Sequence, residues 1–270
     1  MRFLVLLFVF SLATPAMAER TTLAGNMTQG GLVTGMTEPG ATLTLDERPL
    51  DVAPSGRFLF GFGRDASPTA VLKISYPDGG VEERLLEVSQ RAYETQRIDG
   101  LPPAKVTPDP ALHERIAAEN AQIARIRTIK TAEEWYLSGW RWPAEGRVSG
   151  VYGSQRILNG IPKRPHFGVD IAAPEGDPVR ASTDGVIRLA EPDLYYTGGT
   201  VMIDHGYGLI SVYSHLSAVT AKVGELVRQG DKIGEVGSTG RSTGAHLDWR
   251  LNWFEVRLDP QLLVENLPEG

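Results

Sequence analysis

The sequence predicts a mainly β fold with two β domains and a connecting α-helix, and three observations carry that prediction. In residues 58–62 and 71–76, every second residue is a large apolar one, and this period of two is typical of strands. Residues 110–137 instead carry apolar residues at helical spacing, with charges between them. After Gly139, short β-rich runs return, broken by glycine and aspartate.

Composition sets the first limits on function. The chain has 270 residues, of which 41% are hydrophobic, so it suits one large or two modest domains with a real core. It contains no cysteine, which excludes disulfides, thiolate zinc sites and cysteine nucleophiles. The formal net charge is −6, and the sequence has no long basic runs. Both features argue against nucleic acid or an anionic membrane as a partner.

Residues 1–18 are predicted to be a cleavable signal peptide. Arg2 supplies the positive start, residues 3–10 form an apolar run, and Ala16-Met17-Ala18 gives the small-x-small cleavage pattern. The apolar run is too short for a spanning helix, which needs about 20 residues. We therefore expect a periplasmic protein that keeps no membrane anchor after cleavage.

Residues 19–98 are predicted to form a small N-terminal β-sandwich. Phe58, Phe60 and Phe62 alternate with smaller neighbours, and the turn at residues 77–80 lies between strand-like runs at 71–76 and 83–88. Pro39-Gly40 marks another turn. The pattern indicates a scaffold of immunoglobulin-like type, without a cluster of chemically active residues.

Residues 99–137 are predicted to be a proline-rich linker and a helix. Asp109 can cap a helix that opens with Pro110 and runs to about Leu137. Its apolar stripe consists of Leu112, Ile116, Ile123 and Ile126. The stripe favours docking on the protein's own domains, with coiled-coil pairing as the alternative, and the N-terminal half could position or cover the functional cleft.

Residues 138–270 hold four of the five histidines, and this concentration points to the site. If residues 166–171 form a strand, His166 and Asp170 share one face, and Gly168 between them leaves room. An imidazole and a carboxylate that face one space, in a chain without cysteine, suit a zinc site with an open position.

Two further fragments follow the same logic. In residues 240–251 a glycine-rich turn leads into a strand that would present His246, Asp248 and Arg250 on one face. Residues 212–216 would place Tyr213 and His215 together. Three strands would thus send a histidine each towards one surface.

These fragments resemble the lysostaphin/LytM-type zinc peptidases, metallopeptidase family 23, over about residues 139–262. The resemblance is carried by six fragments in the family's order: residues 146–156, 166–174, 176–179, 203–206, 213–217 and 242–247. It implies a compact antiparallel β domain with a long groove and an endopeptidase that cuts peptide bonds in bacterial peptidoglycan.

The resemblance also implies roles for single residues. His166 and Asp170 match zinc ligands, while His215 and His246 match the two catalytic histidines that orient the water and stabilise the oxyanion. His205 matches a residue that is not a ligand, and we expect it to be structural. The position of the third ligand, a histidine in the family, is Asp248 here.

Two interpretations follow from Asp248 and from Arg250, which stands where the family has an acidic residue. In the first, Asp248 is the third ligand of Zn²⁺ and the chain is a periplasmic endopeptidase. In the second, Asp248 pairs with Arg250, and a degenerate domain binds peptidoglycan or activates a partner cell-wall hydrolase. Tyr195 and Tyr196, before Gly198-Gly199, are candidates for substrate contact in either case.

Overall fold

A computed structural model of the protein describes residues 19–100 and 107–264. The predicted signal peptide, residues 1–18, and part of the proline-rich linker, residues 101–106, lie outside the described residues. The prediction of a mainly β protein with one connecting α-helix is confirmed. Within the described ranges, no helix combines the length and apolar composition needed to cross a bilayer.

The N-terminal region consists of two small antiparallel sheets. One has the strand order β1-β2-β5 and the other β4-β3-β6-β7. The bounds are β1 Thr22–Gly25, β2 Leu32–Met36, β3 Thr42–Leu45, β4 Arg48–Leu50, β5 Arg57–Gly61, β6 Thr69–Ser75 and β7 Val81–Glu87. The alternating runs in the sequence therefore mark β5, β6 and β7 to within two residues.

Strand β5 is buried on both faces, because the N-terminal region shares its core with the C-terminal sheet. Phe58, Leu59 and Phe60 are all at most 2% exposed. A Cβ added to Gly61 would lie 2.5 Å from the Leu258 side chain, so the C-terminal region approaches this strand closely. Trp253 belongs to the same core. The two regions thus pack as one body.

The connecting helix α1 spans His113–Arg127 and follows a 3₁₀ turn at Pro110–Leu112. Asp109 caps this turn, since its side chain accepts a hydrogen bond from the Ala111 N–H at 2.8 Å. The helix docks on its own domain: Ile126 is buried and Ile123 partly buried in a cluster formed with the C-terminal sheet.

The predicted helix end at about Leu137 is wrong, because the helix ends ten residues earlier, at Arg127. Thr128 stops it by returning its hydroxyl to the Arg125 carbonyl at 2.8 Å. Further along, the Thr131 carbonyl accepts instead from the Tyr207 N–H, in the turn at residues 205–208, at 2.7 Å. Tertiary hydrogen bonds thus replace helical ones here.

The C-terminal region is built on an eight-stranded sheet with the order β18-β14-β15-β16-β20-β12-β9, and β21 pairs with β20. Every pairing within it is antiparallel. Its strands are β9 Arg147–Gly150, β12 Val169–Ala172, β14 Gly185–Leu194, β15 Gly198–Asp204, β16 Leu209–Leu216, β18 Leu226–Val227, β20 Leu247–Trp253 and β21 Val256–Leu258.

Two three-stranded sheets complete the region. One has the order β13-β19-β17, from β13 Pro178–Arg180, β17 Ala218–Val219 and β19 Lys232–Glu235. The other has the order β11-β10-β8, from β8 Thr95–Ile98, β10 Gln155–Leu158 and β11 Ile161–Pro162. Because β8 precedes the linker, the N-terminal half adds a parallel strand directly to the loop that leads into the site.

The two faces of the large sheet differ. One face carries the C-terminal core, which includes Val169, Tyr213 and Trp249. On the other, Ile210 and Val212 pack against α1. The part of this second face beyond the helix carries the polar residues described next.

Candidate metal and catalytic site

His166 and Asp170 meet, although not by strand alternation. The predicted strand at 166–171 begins only at Val169, so His166 lies in the preceding loop, and that part of the prediction is wrong. The loop is held by two hydrogen bonds, from the His166 N–H to Ser154 O at 2.9 Å and from the Gly153 N–H to His166 O at 2.7 Å. This pairing brings His166 Nε2 to 3.1 Å from Asp170 Oδ1.

Asp248 lies directly beside this pair, on β20. The register pairs Asp170 with Asp248 across β12 and β20, so both carboxylates project from the same face. Ligand atoms of His166, Asp170 and Asp248 all lie within 4.8 Å of one another, and all three residues are buried. These are the three residues that the sequence and the family resemblance single out as metal ligands.

Two glycines make room for the carboxylates. A Cβ on Gly168 would lie 2.7 Å from Asp248 Oδ1 and 2.6 Å from the Trp249 carbonyl oxygen. A Cβ on Gly150 would lie 2.2 Å from Asp170 Oδ2. Any side chain at either position would displace a carboxylate, so both glycines are needed for the cluster.

Each carboxylate also binds an arginine. Asp170 Oδ2 accepts from Arg156 Nη2 at 2.6 Å. Asp248 accepts from Arg250 Nε at 2.9 Å through Oδ1, and from Arg250 Nη2 through Oδ2. Asp248 therefore pairs with Arg250 and also belongs to the three-residue cluster. The sequence offered these two arrangements as alternatives.

These arginines control the charge of the carboxylates. Burial alone would raise the pKa of Asp248, but the adjacent Arg250 guanidinium outweighs burial and holds that pKa well below its usual range. Burial likewise opposes ionisation of Asp170, and His166 and Arg156 together lower its pKa. Two carboxylates and two guanidinium groups leave the cluster formally neutral when His166 is neutral.

His215 reaches the cluster through an unusual backbone conformation. With regular alternation it would share a face with Tyr213, whose side chain is fully buried in the core. Its φ of +69° turns the ring to the opposite face, where His215 Nε2 lies 3.9 Å from Asp248 Oδ2. The prediction that Tyr213 and His215 lie together is therefore wrong.

His215 is held in the tautomer that leaves Nε2 available. Its Nδ1 lies 2.8 Å from the Thr239 carbonyl oxygen, which can only accept, so Nδ1 carries the proton in the neutral ring. Burial lowers the pKa of His215 to about 4, and the nearby Asp248 carboxylate only partly opposes this shift. At neutral pH, Nε2 therefore faces the cluster with a free lone pair.

His246 completes the arrangement from the loop before β20. Its Nδ1 donates to the Gly244 carbonyl oxygen at 2.9 Å and lies 3.2 Å from Ser242 Oγ. Its Nε2 is 3.8 Å from Asp170 Oδ1, and its ring centroid is 4.8 Å from that of His215. Both histidines therefore point Nε2 towards the same space.

Tyr195 and Tyr196 lie at the end of the β14–β15 hairpin, next to this site. Their rings pack edge to face at 4.9 Å, and Arg241 lies over the Tyr196 ring at 4.6 Å. The next residue, Thr197, accepts the His215 N–H at 2.7 Å. This hairpin therefore forms one wall beside His215.

His205 lies away from the cluster. Its Nδ1 is 2.6 Å from Asp184 O and its Nε2 is 2.7 Å from Ser211 Oγ, and the residue is fully buried. This agrees with its interpretation as a structural histidine. Arg156 is the site residue that sequence reasoning missed: it lies in the motif at 146–156, but nothing in the spacing indicated that it would reach Asp170.

The donor set fits a divalent metal ion. His166 Nδ1 and Nε2 and Asp170 Oδ1 are buried, yet have no hydrogen-bond partner among the described residues. Buried polar atoms are normally satisfied, so three unsatisfied ligand-type atoms in one place indicate a missing partner. One imidazole and two carboxylates are accepted zinc ligands, and the four-coordinate preference of zinc would leave a position open.

The C-terminal region is similar to known peptidases. Residues 164–260 match the model of peptidase family M23. The DD-carboxypeptidase/endopeptidase Mpg of Neisseria meningitidis is 50% identical over 98 residues, which cover 36% of this chain and 21% of Mpg. The peptidoglycan DD-endopeptidase ShyA of Vibrio cholerae is 40% identical over 115 residues, which cover 41% of this chain and 26% of ShyA.

A solved structure extends the similarity beyond the matched domain. A Pseudomonas aeruginosa protein assigned to peptidase M23 aligns with a TM-score of 0.66 and 25% identity, over 87% of this chain and 93% of the other. The N-terminal region is therefore included in the fold likeness. By contrast, the chain spans only about a fifth to a quarter of the length of Mpg and ShyA.

Proposed function

We propose that the chain is a periplasmic, zinc-dependent endopeptidase that hydrolyses peptide bonds of bacterial peptidoglycan, starting from the match of residues 164–260 to the model of peptidase family M23. The observation that carries the proposal is the meeting of His166, Asp170 and Asp248 within 4.8 Å, at a point that the rings of two further histidines approach. The activities named for Mpg and ShyA support the choice of substrate.

In this proposal His166, Asp170 and Asp248 hold the metal ion. When bound, zinc supplies an acidified water and polarises the scissile carbonyl. The metal would also provide a partner for Asp170 Oδ1 and for one of the two unsatisfied ring nitrogens of His166. Asp248 can accept a metal while it keeps Arg250, because each carboxylate oxygen has two lone pairs.

His215 and His246 would act on the proton and on the developing negative charge. The His215 ring, which is neutral at neutral pH and has Nδ1 fixed by Thr239, presents Nε2 as the atom that can accept a proton as general base. His246, anchored through Nδ1 to Gly244, can then donate from Nε2 to an oxyanion when protonated. The backbone hydrogen bonds fix both rings, so little reorganisation is needed during the reaction.

The second candidate, a degenerate domain that binds peptidoglycan or activates another cell-wall hydrolase, is favoured by one observation. Arg156 and Arg250 already neutralise the two carboxylates, and a divalent ion would make the cluster strongly positive. Against it stand His215 and His246, whose orientations towards the cluster are each fixed by hydrogen bonds that a binding module would not need.

A digestion experiment tests the proposal. Purified peptidoglycan is incubated with the mature chain in the presence of zinc, and released peptides are identified by liquid chromatography with mass spectrometry. We expect new amino termini, with turnover reduced by about 10²-fold or more in His215→Ala and His246→Ala. His113→Ala, which removes an exposed histidine on α1, is the matched control and retains full activity.

Two outcomes would contradict the proposal. If the wild-type chain with saturating zinc releases nothing, the endopeptidase is excluded and the regulatory alternative follows. If His215→Ala and His246→Ala digest as fast as His113→Ala, the two histidines are not catalytic. Circular dichroism of each variant confirms that the fold is intact.

A further inference from the structure

Five arginines gather around the site face of the large sheet: Arg127, Arg164, Arg241, Arg250 and Arg257. We call them the arginine cluster. They come from α1, from the loop before His166, from the loop before His246, from β20 and from β21. Arg250 takes part in the metal-site contacts described above and Arg164 is exposed, so the partly buried Arg127, Arg241 and Arg257 are the ones that call for a separate explanation.

The fold explains how residues so distant in sequence meet. Helix α1 packs on Val212 through the cluster that contains Ile126, and the strand register pairs Val212 with Arg250. Arg127, the next residue of the helix, therefore lies at the edge of the helix-covered area, on the side of Arg250. The docking of α1 thus brings its last arginine to the rim of the site.

Arg257 reaches the same place from the neighbouring strand. It donates through Nη1 to the side-chain oxygen of Asn252, which shares a face of β20 with Arg250 and Asp248. Arg127, Arg250 and Arg257 therefore form a continuous basic surface that begins at Asp248 and extends towards the end of the helix.

The electrostatics confirm that these charges are close and partly desolvated. Burial, followed by the charge of Arg250, lowers the pKa of Arg127 to about 10. Burial, followed by the charges of Arg127, Arg250 and Arg164, lowers the pKa of Arg257 to about 9. Burial is also the main cause of a lower pKa at Arg241. All remain protonated at neutral pH, at an energetic cost.

Ion pairs with carboxylates of the described residues do not offset this desolvation of Arg127, Arg241 and Arg257. Among residues 19–100 and 107–264, no Asp or Glu forms an ion pair with Arg127, Arg241 or Arg257. Arg127 Nε is buried without a hydrogen-bond partner among the same residues. Desolvated guanidinium groups normally have a carboxylate partner, so three neighbouring ones without such a partner indicate an anionic ligand.

We propose that the arginine cluster binds a free carboxylate of the peptide substrate and thereby makes the site specific for acidic peptides. This inference rests on the proposed endopeptidase function. The planar guanidinium fork matches a carboxylate in a bidentate manner. Arg250 links the cluster to Asp248, so a carboxylate bound here belongs to a residue near the scissile bond.

Binding can be measured apart from turnover. The probe is a fluorescein-labelled, uncross-linked stem peptide with free carboxylates, compared with the same peptide in which those carboxylates are amidated. Fluorescence anisotropy is recorded with the full mature chain, both with zinc and after chelation. We expect the free-carboxylate peptide to bind about tenfold or more tightly than the amidated one.

The variants assign the difference to the cluster. Arg127→Gln should remove most of the preference for the free carboxylate, whereas Arg127→Lys, which keeps the charge, should restore part of it. Arg125→Gln is the matched control, since it removes an exposed arginine from the same turn of α1 and should retain the full preference. A thermal melt of each variant confirms that the helix remains docked.

Several results would overturn the inference: equal binding of both peptides, no binding of either, or an unchanged preference in Arg127→Gln. Displacement of the peptide by inorganic phosphate at equal concentration would show a general anion site and would also contradict specificity for carboxylates. Peptidoglycan digestion separates the two proposals. Intact digestion without a carboxylate preference refutes only the cluster, while a preference without digestion refutes only the enzyme.

Discussion

The two faces of strand β20 show how one short segment serves both stability and chemistry. On one face, Leu247, Trp249 and Leu251 are fully buried in hydrophobic cores. On the other, Asp248 is equally buried, at 1% exposure, but lies among charged groups. Burial alone therefore does not distinguish a core residue from a site residue. The identity of the neighbours does, because a buried carboxylate must be paired.

Two buried histidines differ in the same way. His205 and His215 are both buried, and burial lowers the pKa of each to about 4. Both nitrogens of His205 are used in hydrogen bonds, whereas His215 has a hydrogen-bond partner only at Nδ1 within the part of the chain that the structure describes. An available nitrogen, more than a shifted pKa, marks the histidine that can do chemistry.

The apolar face should give the largest effect on stability. Trp249 is 0% exposed, and Trp249→Ala removes an indole that packs on Trp142 at 5.7 Å between centroids. We expect the free energy of unfolding to fall by about 4 kcal/mol, as measured by urea denaturation. A loss below about 1 kcal/mol would show that this face does not form the core of the sheet.

The polar face should respond to Arg250→Gln in two opposite ways. Without metal, the change leaves the buried Asp248 carboxylate unpaired and should lower the free energy of unfolding by about 3 kcal/mol. With metal, Asp248 regains a positive partner, so affinity for zinc should rise and part of the stability should return. Urea denaturation with chelator and with saturating zinc measures both effects.

A surface pair provides the control for Arg250→Gln. Lys232→Gln breaks the partly exposed pair with Glu235 and should cost less than about 1 kcal/mol with or without metal. If Arg250→Gln lowers stability no more than Lys232→Gln does, the Asp248–Arg250 pair does not hold the site together. If zinc affinity falls, Arg250 supports metal binding and does not compete with it.

The structural histidine predicts how stability depends on pH. Burial lowers the pKa of His205 from 6.5 to about 4 in the folded chain. Between these values the unfolded chain binds a proton that the folded chain does not. The contribution of His205 to stability should therefore be complete above about pH 6.5 and fall by about 3 kcal/mol as the pH approaches 4.

Urea denaturation of the chelated chain at pH 7 and pH 4.5 measures this dependence. His205→Gln removes the titrating ring, so the loss between the two pH values should be smaller in the variant than in the wild type. Equal losses in the two proteins would mean that the His205 ring does not remain neutral in the fold. The free energy of unfolding of His205→Gln at pH 7 gives the cost of the substitution itself, and the loss at pH 4.5 is measured relative to that value.

The alternation of apolar and polar residues was enough to predict much of this arrangement. It placed β5, β6 and β7, and it put Asp248 and Arg250 on one face of β20, because both inferences depend only on the period of a regular strand. The family resemblance then assigned roles to the histidines. Features that follow from sequence period or from local motifs were therefore accessible without a structure.

The errors share one physical cause, which is tertiary contact that overrides local pattern. His215 adopts a positive φ although it is not glycine. The regular alternation of side chains along a strand therefore predicted the wrong face of the sheet for its ring. Helix α1 stops at Arg127, and the Thr131 carbonyl bonds to the turn at residues 205–208 in place of a helical partner. The approach of Arg257 to Arg127 depends on helix docking and had no signal in sequence spacing.

The most direct test is the metal content of the protein, purified without added metal or chelator and then titrated with zinc. It is compared with Asp248→Ala and with the control Glu175→Ala, which removes an exposed carboxylate. Elemental analysis of the dialysed proteins should find close to one zinc per chain in the wild type and control, and almost none in Asp248→Ala. Zinc that persists in Asp248→Ala, or that fails to bind the wild type after titration, would contradict a metal centre formed by His166, Asp170 and Asp248.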